Sequence, residues 1–116
     1  MNYGNAPSET PLKPAVLHIL LALSRGPSHG LGIADAAEEI SGGEVRLGPG
    51  TLYRSLREMD EGGLVEQTAS PTADADPRRK YYRMTEAGLE ALRAETERLA
   101  RLVDVARRNL VLPEDA

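Results

Sequence analysis

The chain contains no cysteine, no tryptophan and no phenylalanine, and its four tyrosines are its only aromatics. Without cysteine there is no disulfide framework, thiolate metal site or cysteine nucleophile. Without Trp and Phe the core must be assembled from Leu, Val, Ile, Ala and Met, a set that favours helices over an aromatic-rich sandwich. Long hydrophobic runs are missing too. The longest, Ala15 to Leu23, is interrupted by His18 and falls short of the roughly 20 residues of a membrane span. The opening residues, MNYGNAPSET, show no basic stretch followed by an apolar one, so a soluble, cytoplasmic protein is expected rather than a secreted one. Only His18 and His29 could serve a metal, and no activated nucleophile or oxyanion feature stands near either. Metal, cofactor and enzymatic activity are therefore not expected.

What is present fits one domain: 116 residues with 41% hydrophobic content suffice for a modest core. The formal net charge of −4 argues against a nonspecific polyanion binder, unless the basic residues are gathered on one face.

Residues 1–10 are polar and read as a flexible arm. From Pro11 or Pro14, either tolerable in a first turn, a helix can run to about Ser24, with Val16, Ile19, Leu20 and Leu23 at the spacing of a buried face. Gly26-Pro27 stops it. Ser28 is a candidate N-cap for a second helix carrying Ile33, Ala36, Ala37 and Ile40 on one side and ended by Gly42-Gly43. Gly30 and Gly32 weaken its first turn by about 1 kcal/mol each relative to Ala, which suggests close packing there. Gly48-Pro49 then presets a third helix, PGTLYRSLREM, which stops at Gly62-Gly63. LVEQT and KYYRM, joined by a polar, Pro-containing tract, read as a β-hairpin.

The segment from Thr85 to about Leu110 carries Leu89, Leu92, Thr96, Leu99, Val103, Ala106 and Leu110 at alternating spacings of three and four, the seam of a coiled coil. Its acids Glu86, Glu90, Glu95 and Glu97 lie early and Arg101, Arg107 and Arg108 late, which suits the helix dipole. So much apolar surface on one helix predicts a partner, and a second copy of the chain is the simplest one.

Helix, helix, helix, strand, loop, strand, long helix is the order of a winged helix-turn-helix module, whose third helix enters the major groove while the hairpin reaches a flanking groove or the phosphates. The expected fold is mainly α with a small β-hairpin: an arm (1–10), a winged helix-turn-helix domain (11–84) and a C-terminal dimerisation helix (85–112). Taking Leu52 as reference and about 100° per residue, Leu56 falls at about 40° and Met59 at about 340°, whereas Gly50, Tyr53, Arg54 and Arg57 fall between about 100° and 200°. One side is core; the other is arginine, tyrosine and backbone. Residues 46 to 83 hold seven of the fourteen basic residues, Arg46, Arg54, Arg57, Arg78, Arg79, Lys80 and Arg83. Six acids share the span, so a basic face requires Glu58, Asp60 and Glu61 to sit at the far end of the helix and Asp74 and Asp76 in the loop. A winged helix used only for protein contact would show the same pattern.

At LGPGTLYRSLREMDEGGLVE and DPRRKYYRMTEAGLEAL the sequence resembles the PadR family of bacterial transcriptional regulators, and LKPAVLHILLALSRGPSHG also fits. The resemblance spans about residues 12 to 110. It implies a homodimeric regulator, usually a repressor, on an inverted-repeat operator in double-stranded DNA, often released by a small-molecule effector near the dimer interface. Matched motif to motif, it places Thr51, Tyr53 and Arg54 at the recognition contact and Arg78, Arg79 and Lys80 in the wing; Arg57 joins them from the helical wheel. The dimer would form through Leu89, Leu92, Leu99, Val103, Ala106 and Leu110. The chain departs from the family in two places. Leu31 stands where tyrosine commonly follows HG, and the acidic tract TASPTADAD leaves the base of the wing, RRK, as the better DNA contact. The effector is not legible: an aromatic sandwich is disfavoured without Trp or Phe, and Tyr3 on the arm is a poor substitute.

Overall fold

The computed structural model of the protein describes residues 6–72, 76 and 78–113. Four helices and three short strands follow in the order α1 (Pro14–Leu23), β1 (Ser28–His29), α2 (Gly30–Ile40), α3 (Pro49–Glu61), β2 (Val65–Thr68), β3 (Tyr81–Met84) and α4 (Glu86–Arg108). The mainly helical fold with its small sheet is thus the one the sequence predicts.

The α1 helix lies at the centre, touching α2, α3 and α4. Its expected apolar face, Val16, Ile19, Leu20 and Leu23, is buried. Ile33 from α2, Leu52, Leu56 and Met59 from α3, and Leu64 and Val65 at the start of β2 close the core around it. The helix begins at Pro14, with proline in its first turn; Pro11 lies outside it.

Two starts are set by side-chain caps. Thr85 Oγ1 accepts from the Gly88 N–H at 3.0 Å and starts α4. His29, not Ser28, is the cap of α2, its Nδ1 accepting from Gly32 N–H at 3.4 Å. Ser28 instead belongs to β1, an element the sequence does not announce. The sheet is consequently three-stranded and antiparallel, in the order β1-β3-β2, with Ser28 opposite Tyr82 and His29 opposite Tyr81. On the other side of β3, Gln67 faces Tyr82 and Glu66 faces Arg83. The short β1 strand thereby fixes the hairpin to the start of α2.

Glycine is required where α4 crosses the hairpin: a Cβ on Gly88 would collide with the Leu64 carbonyl oxygen and sit 2.8 Å from Met84 Cγ. Gly63, at φ +80°, makes the tight reversal from α3 into β2.

Of the arm expected over residues 1–10, residues 6–10 are described. Pro7 packs over Gly62, the Glu9 N–H donates to the Ala6 carbonyl at 2.9 Å, and Leu12 is buried. Residues 1–5, including Tyr3, lie outside the described residues. A buried carboxylate anchors the segment: Glu95, 1% exposed, accepts from the Leu12 N–H at 2.9 Å and from Arg98 at 2.6 and 3.1 Å. The Arg98 guanidinium and the Leu12 amide hold the Glu95 carboxyl below its usual pKa, against the opposing effect of burial.

The α4 helix divides into two halves along one face. Gly88, Ala91, Leu92 and Glu95 are buried against the chain's own core. Beyond them the same face runs on through Leu99 and Ala106, both half-buried, to Leu102 and Val103, which are 53% and 38% exposed. Two residues of the seam read from the sequence are placed differently from the rest. Leu92 is taken up by the core of its own domain, because the first turns of α4 complete that core. Leu110 lies past the helix end with φ +60° and is 88% exposed, so it does not continue the stripe.

Candidate nucleic-acid interface

The N-terminus of α2, the outer side of α3 and the base of the hairpin meet around an open cleft of about 680 Å³. From α3 it is lined by Tyr53, Arg57 and Asp60, from the hairpin by Gln67, Arg78, Arg79, Lys80 and Tyr82, and from β1 and α2 by His29, Gly30 and Leu31. Tyr53, Arg57 and Asp60 share this wall because spacings of four and three place them on one helical stripe, while Leu52 and Met59 hold the opposite side of α3 in the core and Leu56, itself buried, belongs to both the core and the cleft lining.

The structure therefore brings together Tyr53, Arg57, Arg78, Arg79 and Lys80 of the candidate DNA residues. Thr51 and Arg54 are exposed on the same helix but do not line the cleft. Tyr53 is 53% exposed, and its hydroxyl lies where a Cβ on Gly30 would be, at 2.5 Å. The bare backbone at residue 30 is what lets the ring lie against α2. The Gly32 position is similarly filled, by the Ser28 hydroxyl.

The cations are not equivalent. Arg78 is chelated by Asp76, with Nε to Oδ1 at 3.2 Å and Nη2 to Oδ2 at 3.1 Å. That guanidinium, together with the Arg78 N–H, holds the Asp76 carboxyl below its usual pKa. Arg83 pairs with Glu66 across β3 and β2, and Arg46 with Glu38 at 3.0 Å. Arg79 Nη1 lies 3.1 Å from His29 Nε2. Among the described residues no ion pair engages Arg54, Arg57 or Lys80. Seven sequence cations thus reduce to three uncommitted ones and one beside His29, which matters because a paired arginine must give up its carboxylate before it can take a phosphate.

The acids also differ from expectation in one place. Asp60 stands inside the cleft rather than beyond it. Burial, then the nearby Asp60 and Tyr53, push the Tyr82 phenol above its usual pKa, so Tyr82 remains a neutral donor. Position was the readable signal: on the helical wheel Asp60 falls at about 80°, beside Tyr53 at about 100°. His29, Leu31, Gln67 and Tyr82 carried no such signal, since their place in the cleft depends on the β1–β3 pairing.

Of the histidines, His18 sits on α1 with Nδ1 donating to the Pro14 carbonyl at 2.7 Å. Among the described residues no three His, Cys, Asp or Glu side chains cluster as metal ligands, and no helix is long and apolar enough to cross a membrane.

The family model for the transcriptional regulator PadR-like family matches residues 19–94. Among solved structures, a PadR-like transcriptional regulator from Bacillus cereus is similar with a TM-score of 0.67 at 25% identity, over 85% of this chain and 92% of that one. RosR of H. salinarum gives a TM-score of 0.61 at 25% identity, covering 89% of this chain and 98% of its own. A PadR family transcription regulator from Clostridium difficile, with a TM-score of 0.69 over 84% of this chain and 99% of its own, shares the fold at 24% identity. An uncharacterized protein in a transposon of Streptomyces fradiae is 38% identical over 88 residues, 76% of this chain. The chain spans only 24% of the length of that curated relative.

Proposed function

The chain belongs to the PadR-like family of transcriptional regulators, and from that premise we propose that it binds duplex DNA as a homodimer and represses transcription from inverted-repeat operators. One observation carries the DNA-binding part: α3 and the wing converge on a single cleft whose Arg57 and Lys80 are uncommitted. In this reading α3 enters the major groove, with Thr51, Tyr53, Arg54 and Arg57 toward bases or phosphates. The wing base, Arg79 and Lys80 foremost, holds the flanking backbone. Arg78 joins only by exchanging Asp76 for a phosphate.

Residues 11–84 make the DNA contact and residues 85–112 the dimer contact, although the first half of α4 is part of the DNA-binding core. What supports the dimer is the face of α4 that continues past that core through Leu99 and Ala106, with Leu102 and Val103 exposed beside them. Such a stripe would set two recognition helices roughly 34 Å apart, one turn of DNA. Release by a small-molecule effector, implied by the family resemblance, then acts by changing that spacing through α4.

The test is salt. Arg54, Arg57, Arg79 and Lys80, four cations per protomer and eight per dimer, predict that log K for a duplex selected by the protein falls against log salt with a slope of about −7. A slope near zero on every duplex would instead favour a winged helix used for protein contact.

A further inference from the structure

Two aliphatic side chains line the cleft, and they differ in exposure: Leu56 is fully buried in the core, whereas Leu31 is open to solvent. Leu31, the second residue of α2, is 60% exposed, while Arg57, Arg79 and Lys80 line the same cleft. The fold does not require an apolar residue there, since α2 is fixed to the core by Ile33 and Ala37. The first turn of a helix is also where a polar side chain would serve free N–H groups. A lone exposed leucine is ordinary on a protein surface. A leucine that shares a cleft with those cations and a half-exposed Tyr53 presents apolar contact at the place where a polyanion would be drawn in.

Duplex DNA offers one apolar group on its major-groove base edges, the C5 methyl of thymine. We propose that Leu31 packs on a thymine methyl at the edge of the major groove and so determines sequence specificity at that base pair. The proposal rests on the DNA-binding reading above. Arg57 and Lys80 then hold the backbone, as contacts that carry no sequence information, and Leu31 supplies discrimination. One methyl group removed from water corresponds to about fourfold in affinity.

The probe is a duplex selected by the full chain from a random-sequence pool, resynthesised with each thymine in turn replaced by deoxyuridine, which removes the methyl and leaves the pairing intact. At one thymine per half-site the replacement weakens wild-type binding about fourfold. Leu31→Ala binds the thymine duplex more weakly by a similar factor and no longer distinguishes uracil from thymine there. Arg57→Ala, as control, loses affinity for both duplexes alike. If every thymine can be replaced without separating wild type from Leu31→Ala, or if the selected site holds no thymine, the proposal is overturned while DNA binding stands. If no duplex is selected at all, the DNA-binding reading fails and this one with it.

Discussion

Nη1 of Arg79 on the wing lies 3.1 Å from Nε2 of His29, and Nδ1 of the same ring stands 3.4 Å from the Gly32 N–H at the start of α2. Both neighbours are donors, and a neutral imidazole has a single acceptor nitrogen. The tether of the wing and the cap of α2 therefore compete for one lone pair, so the two elements that frame the cleft share a residue. The ring is further positioned edge-on to Tyr81, with centroids 5.3 Å apart.

His29→Asn should separate these roles, because asparagine caps well but cannot reach Arg79 or replace the ring contact. The expected outcome is a loss of about 1 kcal/mol in stability, with faster amide exchange at residues 78–80 and little change in α2. Unchanged exchange at the wing base would mean that His29 does not hold it.

Two glycines make contrasting predictions. Gly88→Ala places a methyl against the Leu64 carbonyl, where neither backbone can yield, and should cost about 3 kcal/mol in a urea titration. Gly30→Ala meets only the far end of Tyr53, which can swing away, so its cost should stay below about 1 kcal/mol while duplex affinity drops. Equal destabilisation by the two would contradict the packing described here.

Glu95 predicts an acid sensitivity. Its carboxyl titrates lower in the folded chain than its usual value of 4.5, so the stability it contributes is fully present above that value and is lost as pH falls through the lowered folded pKa. Glu95→Gln should lower stability at neutral pH by about 2 kcal/mol and flatten the decline below pH 4.5. A parallel acid decline in the two proteins would remove Glu95 as its source.

The two halves of α4 should respond differently. Leu92→Ala, in the core, should cost roughly 2 to 5 kcal/mol of stability. Leu102→Asp, on the exposed half, should leave the protomer folded and convert a dimer to a monomer by sedimentation. If Leu102→Asp sediments as wild type does, the dimer contact lies elsewhere.

These contrasts mark where the sequence is informative. The α1, α3 and α4 helices were legible because their apolar spacing is regular and Pro14, Gly48-Pro49 and Thr85 announce their starts. Two residues, Ser28 and His29, are too few to show an alternating pattern, so β1 and the third strand pairing emerge only in three dimensions. In α4 one unbroken periodicity serves two neighbours, the chain's own core at Leu92 and solvent at Leu102, and spacing cannot say where one gives way to the other. Glu95 reads as a surface acid because its partner, the Leu12 amide, is 83 residues away. The cleft was legible as Tyr53, Arg57 and Arg78 to Lys80. Asp60 was legible too, from its place beside Tyr53 on the helical wheel, but the pairing of Arg78 with Asp76 is a matter of rotamer and tertiary placement, and it decides which cations are available.

The central claim is that the uncommitted cations of this cleft, rather than basic residues in general, hold DNA. It is tested most directly by the salt dependence of binding to one selected duplex for wild type, Arg57→Ala and Arg78→Ala. Arg57→Ala should reduce the magnitude of the slope of log K against log salt by about 0.9 for each phosphate that is no longer neutralised, and Arg78→Ala should leave it near the wild-type value. A slope unchanged by Arg57→Ala but reduced by Arg78→Ala would contradict the account.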